Sequence, residues 1–190
     1  MFVKSTVLAL SLVLAGAGIA SAQSKKPAAA AQQPAAAQQP AAAASTAPTR
    51  IQQFQAWGAY SYKQGNSTVC YVLSVPTEKK PAGIDHGENF FIVSQRPGQN
   101  ISYEPQAMMG YTVKDASKIN VVIDNKTFVM FTKDKAGWVE NAAQEPALVA
   151  AMKGGHSMTV NATSRKGTAT SYSYSLAGIS ASLKQIESCK

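Results

Sequence analysis

The sequence predicts a mainly β fold, a single antiparallel domain of sandwich-like or barrel-like form that carries two short helices. Three observations predict it. Apolar and aromatic residues recur with period two in one segment after another, as half-buried strands require. The breaks between those segments are short and hold the residues that tight turns use. The long helical stretches that a parallel, doubly wound sheet needs between its strands are missing.

In chain order, residues 1–22 read as a secretory signal. Lys4 supplies the charged leader, Val7 to Ile19 is a charge-free apolar run, and Ala20-Ser21-Ala22 has the small-x-small form of a signal-peptidase site. Cleavage is expected between Ala22 and Gln23. The apolar run is shorter than the roughly 20 residues of a membrane span, so the protein is not expected to be integral to a membrane. Residues 23–49 repeat a slipped Pro-Ala-Gln-Gln unit without an aromatic or β-branched aliphatic residue. Such a stretch buries too little apolar surface to offset its ordering entropy, and its prolines interrupt helix, so a disordered linker is expected. The folded domain is expected over residues 50–190.

Within it, strands are expected at Ala56–Tyr62, Val69–Val75, Phe90–Ser94, Ile119–Ile123, Phe128–Thr132, Met158–Thr163 and Thr168–Leu176. The last shows the pattern best: Thr168, Thr170, Tyr172, Tyr174 and Leu176 alternate with Ala169, Ser171, Ser173 and Ser175, an aromatic face against a hydroxyl face. Val69, Tyr71, Leu73 and Val75 form a second row. Gly65-Asn66, Asp124-Asn125 and Arg165-Lys166-Gly167 supply turns. Pro146 followed by an apolar run and Gly154-Gly155 gives the proline-start, glycine-stop asymmetry of a short helix. Leu176, Ile179, Leu183 and Ile186 recur at helical spacing, so Ile179–Ser188 is expected to be an amphipathic helix capping the sheet core. Trp57 and Trp138 are expected in or near that core, and Met108-Met109 as packing residues rather than copper ligands.

Export places the two cysteines in an oxidising compartment, where Cys70 of a central strand and Cys189 beside the terminal helix are expected to form a disulfide. A Cys/His catalytic pair with His86 or His156 as base competes with that reading, and a free thiolate is what the compartment opposes. The loop from Gly83 to Asn89 holds Asp85, His86 and Glu88, which is half of a metal or acid–base site and the basis of an alternative reading as a small periplasmic hydrolase or metal-dependent enzyme. The main reading is a polar loop, with no catalytic residue, metal or cofactor. G-x-S-x-G, H-E-x-x-H and P-loop motifs are absent. Asn-x-Ser/Thr triplets begin at Asn66, Asn100, Asn125 and Asn161.

Charge carries the remaining information. Removal of Lys4 with the signal leaves 17 cations against 10 anions, a net charge of +7. Lys79, Lys80, Arg165 and Lys166 are the candidate contacts to an anionic envelope or host-surface component: lipopolysaccharide, cell wall, glycan or lipid. They are expected mostly in loops and turns. Nucleic acid is disfavoured, since no recognition motif is present and export removes the chain from it.

The segment from Met152 onward carries a resemblance. It has a Met152-Lys153-Gly154 lead-in, a strand, Ser164-Arg165-Lys166-Gly167-Thr168, then Tyr174-Ser175-Leu176-Ala177-Gly178, a small-residue helix through Ala181 and Leu183, and Cys189. Upstream stand Trp57 and Cys70-Tyr71-Val72. These residues, spread over about 55–190, resemble the invasion-associated locus B family of alphaproteobacterial exported proteins; where members often have an aromatic residue after Leu-x-Gly, this chain has Ile179. The resemblance implies an exported protein of the bacterial envelope, periplasmic, attached to the outer membrane or secreted, linked with host-cell invasion or persistence; the residues themselves, with no active-site constellation and a cationic surface, point to a non-catalytic binding or interaction module. It brings no catalytic residues with it.

Overall fold

Every expected strand forms, and four more join them. The structure, a computed structural model, describes residues 47–189; the expected signal segment, its expected Ala22–Gln23 cleavage and residues 23–46 of the expected linker lie outside the described residues. The strands are β1 (Thr49–Phe54), β2 (Trp57–Gln64), β3 (Ser67–Ser74), β4 (Glu78–Lys80), β5 (Phe90–Arg96), β6 (Ile101–Met108), β7 (Lys118–Ile123), β8 (Lys126–Lys133), β9 (Ala136–Val139), β10 (Ser157–Thr163) and β11 (Ala169–Ser175). Helix α1 (Glu145–Gly154) precedes β10, and α2 (Ile179–Ile186) follows β11. The strands form a single sheet, antiparallel throughout, in the order β1-β2-β3-β5-β6-β9-β8-β7-β10-β11-β4.

The sheet curls so that the β1–β2 turn comes back against the end of β11. Ala56 N–H, in the β1–β2 turn, donates to Ala177 O beyond β11 at 3.2 Å, and Trp57 Nε1 donates to Ser175 O at 2.9 Å. Trp57, Phe91 and Tyr174 fill the space so enclosed, with Phe91 edge-on to both other rings at 6.5 and 6.1 Å between centroids. Burying side chains of this size contributes roughly 1.5–3 kcal/mol each. The inward rows follow period two: Ile119, Val121 and Ile123 on β7, Met158, Val160 and Ala162 on β10, Thr170, Tyr172 and Tyr174 on β11.

On β3 the inward row is Cys70, Val72 and Ser74, so Tyr71, Leu73 and Val75 face out. There Tyr71 stacks on Tyr60 at 5.3 Å, Tyr62 lies edge-on to it, and the Arg50 guanidinium sits 5.7 Å above Tyr60. Burial, reinforced by the neighbouring phenols, raises the pKa of Tyr71. Trp138 likewise differs from expectation. Its register partner Phe131 points outward, so Trp138 stacks against it at 5.7 Å on the outer face instead of entering the core.

The four strands beyond expectation share a cause. β1 is polar, β4 is three charged residues, β9 is four residues with a glycine, and β6 carries Pro105. Proline lacks the N–H of a ladder, but β9 pairs only with Gln106–Met108, so Pro105 has no partner there to disappoint.

Helix α2 buries Ile179, Leu183 and Ile186 and packs on β1, β2 and β3. Gly178 begins it with φ +92°, and a Cβ there would collide with the Phe54 carbonyl, so both the backbone conformation and the space demand glycine. One turn beyond α2, Cys189 is bonded to Cys70 of β3, with Cα atoms 5.9 Å apart. The disulfide forms as expected, and neither sulfur is free to act as a nucleophile.

Candidate functional site

Two open cavities lie at the end of the sheet where β10 turns into β11. The first, about 460 Å³, is lined by Ile84, Asp85, Tyr111, Thr112, the turn residues Ser164, Arg165, Lys166 and Thr168, and Thr170. The turn presents its cations because Gly167 takes φ +88° and closes the hairpin tightly, with Gly167 N–H donating to Ser164 O at 2.8 Å. A crossing segment holds the opposite wall. Lys114 N–H donates to Thr163 O at 2.9 Å and Arg165 N–H donates to Thr112 O at 2.9 Å, which sets Tyr111 and Thr112 against the hairpin. The Tyr111 hydroxyl donates to Thr170 Oγ1, and Thr170 Oγ1 in turn donates to Ala162 O at 3.1 Å.

The second cavity, about 720 Å³ and shallower, is lined by Lys80, Pro81 and Ala82, by Lys118 and Asn120 of β7, by Asn161, Ala162 and Thr163 of β10, and by Ala169, Thr170 and Ser171 of β11. Thr170 belongs to both. The structure therefore brings the two expected cation pairs to one end of the molecule, though not alike. Lys80 lines the second cavity, while the ammonium of Lys79 donates to Gly87 O at 2.9 Å and so pins the following loop. Both residues stand in strand β4 beside β11, a correction to their expected place in a loop: Lys80 pairs with Ser171 and Lys79 with Tyr172. Arg165 and Lys166 do occupy a turn. Arg165 reaches Asp115 at 3.7 Å, Lys80 reaches Glu78 at 3.2 Å, and both pairs are well exposed, so they hold their cations weakly. Lys166 has no ion pair or hydrogen bond among the described residues.

The loop with Asp85, His86 and Glu88 is tied inward. His86 is buried, its Nε2–H donates to Pro81 O at 2.9 Å, and its Nδ1 accepts from the Tyr172 hydroxyl at 2.9 Å, a tautomer assigned from the carbonyl, which can only accept. Both imidazole nitrogens are thus committed. Burial raises the pKa of the Tyr172 phenol, and it does the same for Tyr174. Asp85 Oδ1 accepts from Gly87 N–H at 2.8 Å, and the Asn89 amide donates to His86 O and accepts from Gly110 N–H. A Cβ on Gly87 would come 2.6 Å from Gly110 O, so the loop and the crossing segment meet backbone to backbone. Among the described residues no three of His, Cys, Asp and Glu stand close enough to share a metal ion. His156 is exposed before β10, well apart from this loop in the chain, and Met109 packs in the core.

Sequence reasoning missed Tyr111, Thr112, Asn120 and Asn161 as groove residues. They belong to different strands and crossings, and only register brings them together. The signal within reach was the polar row of the last hairpin, whose Ser171 stands directly across from Asn161. Asn66, Asn100 and Asn125 are exposed in turns or caps, whereas Asn161 is half-buried in β10.

The model of the family described as invasion associated locus B (IalB) protein matches residues 57–187, from Trp57 of β2 to the residue after α2. The chain belongs to the invasion associated locus B family. No curated protein and no solved structure matches it. In this family member the matched span contains both cavities, both helices and Cys70, and stops just short of Cys189. Among the described residues no helix is long and apolar enough to cross a membrane.

Proposed function

We propose that this family member is an exported envelope protein that binds rather than transforms, holding an anionic group of the bacterial or host surface and serving host-cell invasion or persistence. Its place is the periplasm or the outer membrane's surface. The observation that carries this reading is the first cavity, where Arg165 and unpaired Lys166 share a wall with the hydroxyls of Ser164 and Thr168. Cations beside hydroxyl donors suit carboxylate, sulfate or phosphate oxygens. The net charge adds a long-range attraction toward such surfaces. No observation favours the hydrolase alternative, since His86 spends both nitrogens on the fold.

The test is retention of the mature protein on lipopolysaccharide, heparin and anionic phospholipid vesicles. At 0.5 M salt the screening length falls to about 4 Å, so retention is expected to collapse. Arg165→Glu with Lys166→Glu should weaken retention at least about tenfold, a loss of roughly 1.4 kcal/mol. Retention indifferent to both salt and charge reversal overturns the reading.

A further inference from the structure

We propose that the second cavity is a groove for an acidic polysaccharide, gripped near its ends by Lys80 and Lys118 and between them by amides and hydroxyls. The inference rests on the anion-binding reading above and names its ligand class. Lys80, Ser171, Asn161 and Asn120 stand directly across from one another on β4, β11, β10 and β7, a single row on the outer face. At about 4.8 Å between strands the row runs roughly 14 Å. It lies on the floor of the second cavity, with Lys118 on its rim and Thr163 beside it.

The order of chemistry along this path selects the ligand. A carboxamide both donates and accepts, and so does a hydroxyl, so Asn120, Asn161, Ser171 and Thr163 match the vicinal hydroxyls of a sugar ring. Lys80 and Lys118 match carboxylates or sulfates placed along the same chain. The ion pairs of Lys80 with Glu78 and Lys118 with Glu140 are exposed, so a ligand anion can replace either carboxylate. A lipid surface asks for something different, protruding large apolar side chains around the cations. The apolar groups lining the second cavity are Pro81, Ala82, Ala162 and Ala169, all small, and the nearest outward aromatic, Phe131 across from Lys118, is stacked on Trp138 beyond the rim.

Binding of a heparin tetrasaccharide to the mature protein by calorimetry, beside phosphatidylglycerol vesicles and neutral dextran, tests this. Asn120→Ala with Asn161→Ala keeps every charge and should weaken tetrasaccharide binding at least about tenfold, or roughly 1.4 kcal/mol. Ser171→Ile, a strand-favouring substitution that fills the floor, should do the same at an unchanged melting temperature, which covers the event that the asparagine variant folds poorly. Tetrasaccharide binding unaffected by both variants, or binding to vesicles but not to the tetrasaccharide, overturns the groove while leaving the anion-binding reading standing. Binding to none of the probes overturns both.

Discussion

Replacing Cys70 and Cys189 together by alanine tests how far one covalent bond supports the domain. The bond joins residues 119 apart, so it constrains nearly the whole folded chain in the unfolded state. In the chain-entropy treatment, a closed loop of that length contributes about 4.9 kcal/mol at 25 °C. Natural domains have about 5–15 kcal/mol in all, so the loss is a large fraction. For a domain of roughly 140 residues it corresponds to a fall of about 15 °C in melting temperature. Helix α2 has only eight residues, too short to persist by itself, but Ile179, Leu183 and Ile186 still bury against the sheet, so the variant is expected to fold at low temperature. Urea unfolding followed by the fluorescence of buried Trp57 should show a lower midpoint and a larger m-value, because the unlinked chain exposes more surface on unfolding. A double variant within about 1 kcal/mol of the parent, with m unchanged, refutes the argument that the bond acts through the unfolded chain.

Three further outcomes follow from the packing. His86→Ala leaves the Tyr172 hydroxyl and Pro81 carbonyl without their partner, and should cost about 1–3 kcal/mol in urea unfolding; an unchanged midpoint would show that the loop does not need its imidazole. Gly178→Ala puts a Cβ against the Phe54 carbonyl in a left-handed conformation and should cost more than about 1 kcal/mol, whereas Gly83→Ala, with φ +81° but open space, should cost less; equal losses would mean that strain alone matters. Burial, then the hydrogen bond to Glu187, pushes the Tyr103 phenol up to about 12. The neutral phenol is therefore favoured by the fold, and its contribution, complete below pH 10, is lost as pH climbs to about 12. An absorbance titration at 295 nm should lose one late-ionising phenol in Tyr103→Phe, and a titration curve identical to the parent's would contradict this.

What alternation along the chain revealed was local. The aromatic and hydroxyl faces of β11, the turns at Gly65-Asn66, Asp124-Asn125 and Gly167, and the proline-start helix all form within a few residues of their signal. Period two names two faces without saying which one is buried. On β3 the row of Tyr71 and Leu73 turned outward because Cys70 had to meet Cys189 beneath α2. The polar strand β1, the charged β4 and the proline-bearing β6 lacked any local signature, because the ladders of their neighbours make them strands. The candidate site divides in the same way. Arg165 and Lys166 were visible as a basic turn, but the row of Lys80, Ser171, Asn161 and Asn120 across four strands was not.

The sequence by itself determined the strand-forming segments, the cysteine pairing and the basic turn, since each depends on residue types within a short span or on a single pair of sulfurs. Tertiary structure alone decided the order of the sheet, with β4 returning to the edge beside β11 and β9 inserted between β6 and β8, and with it the groove. Pairing between distant strands is set by which apolar faces can be buried together, a property of the whole chain that no local stretch of it encodes.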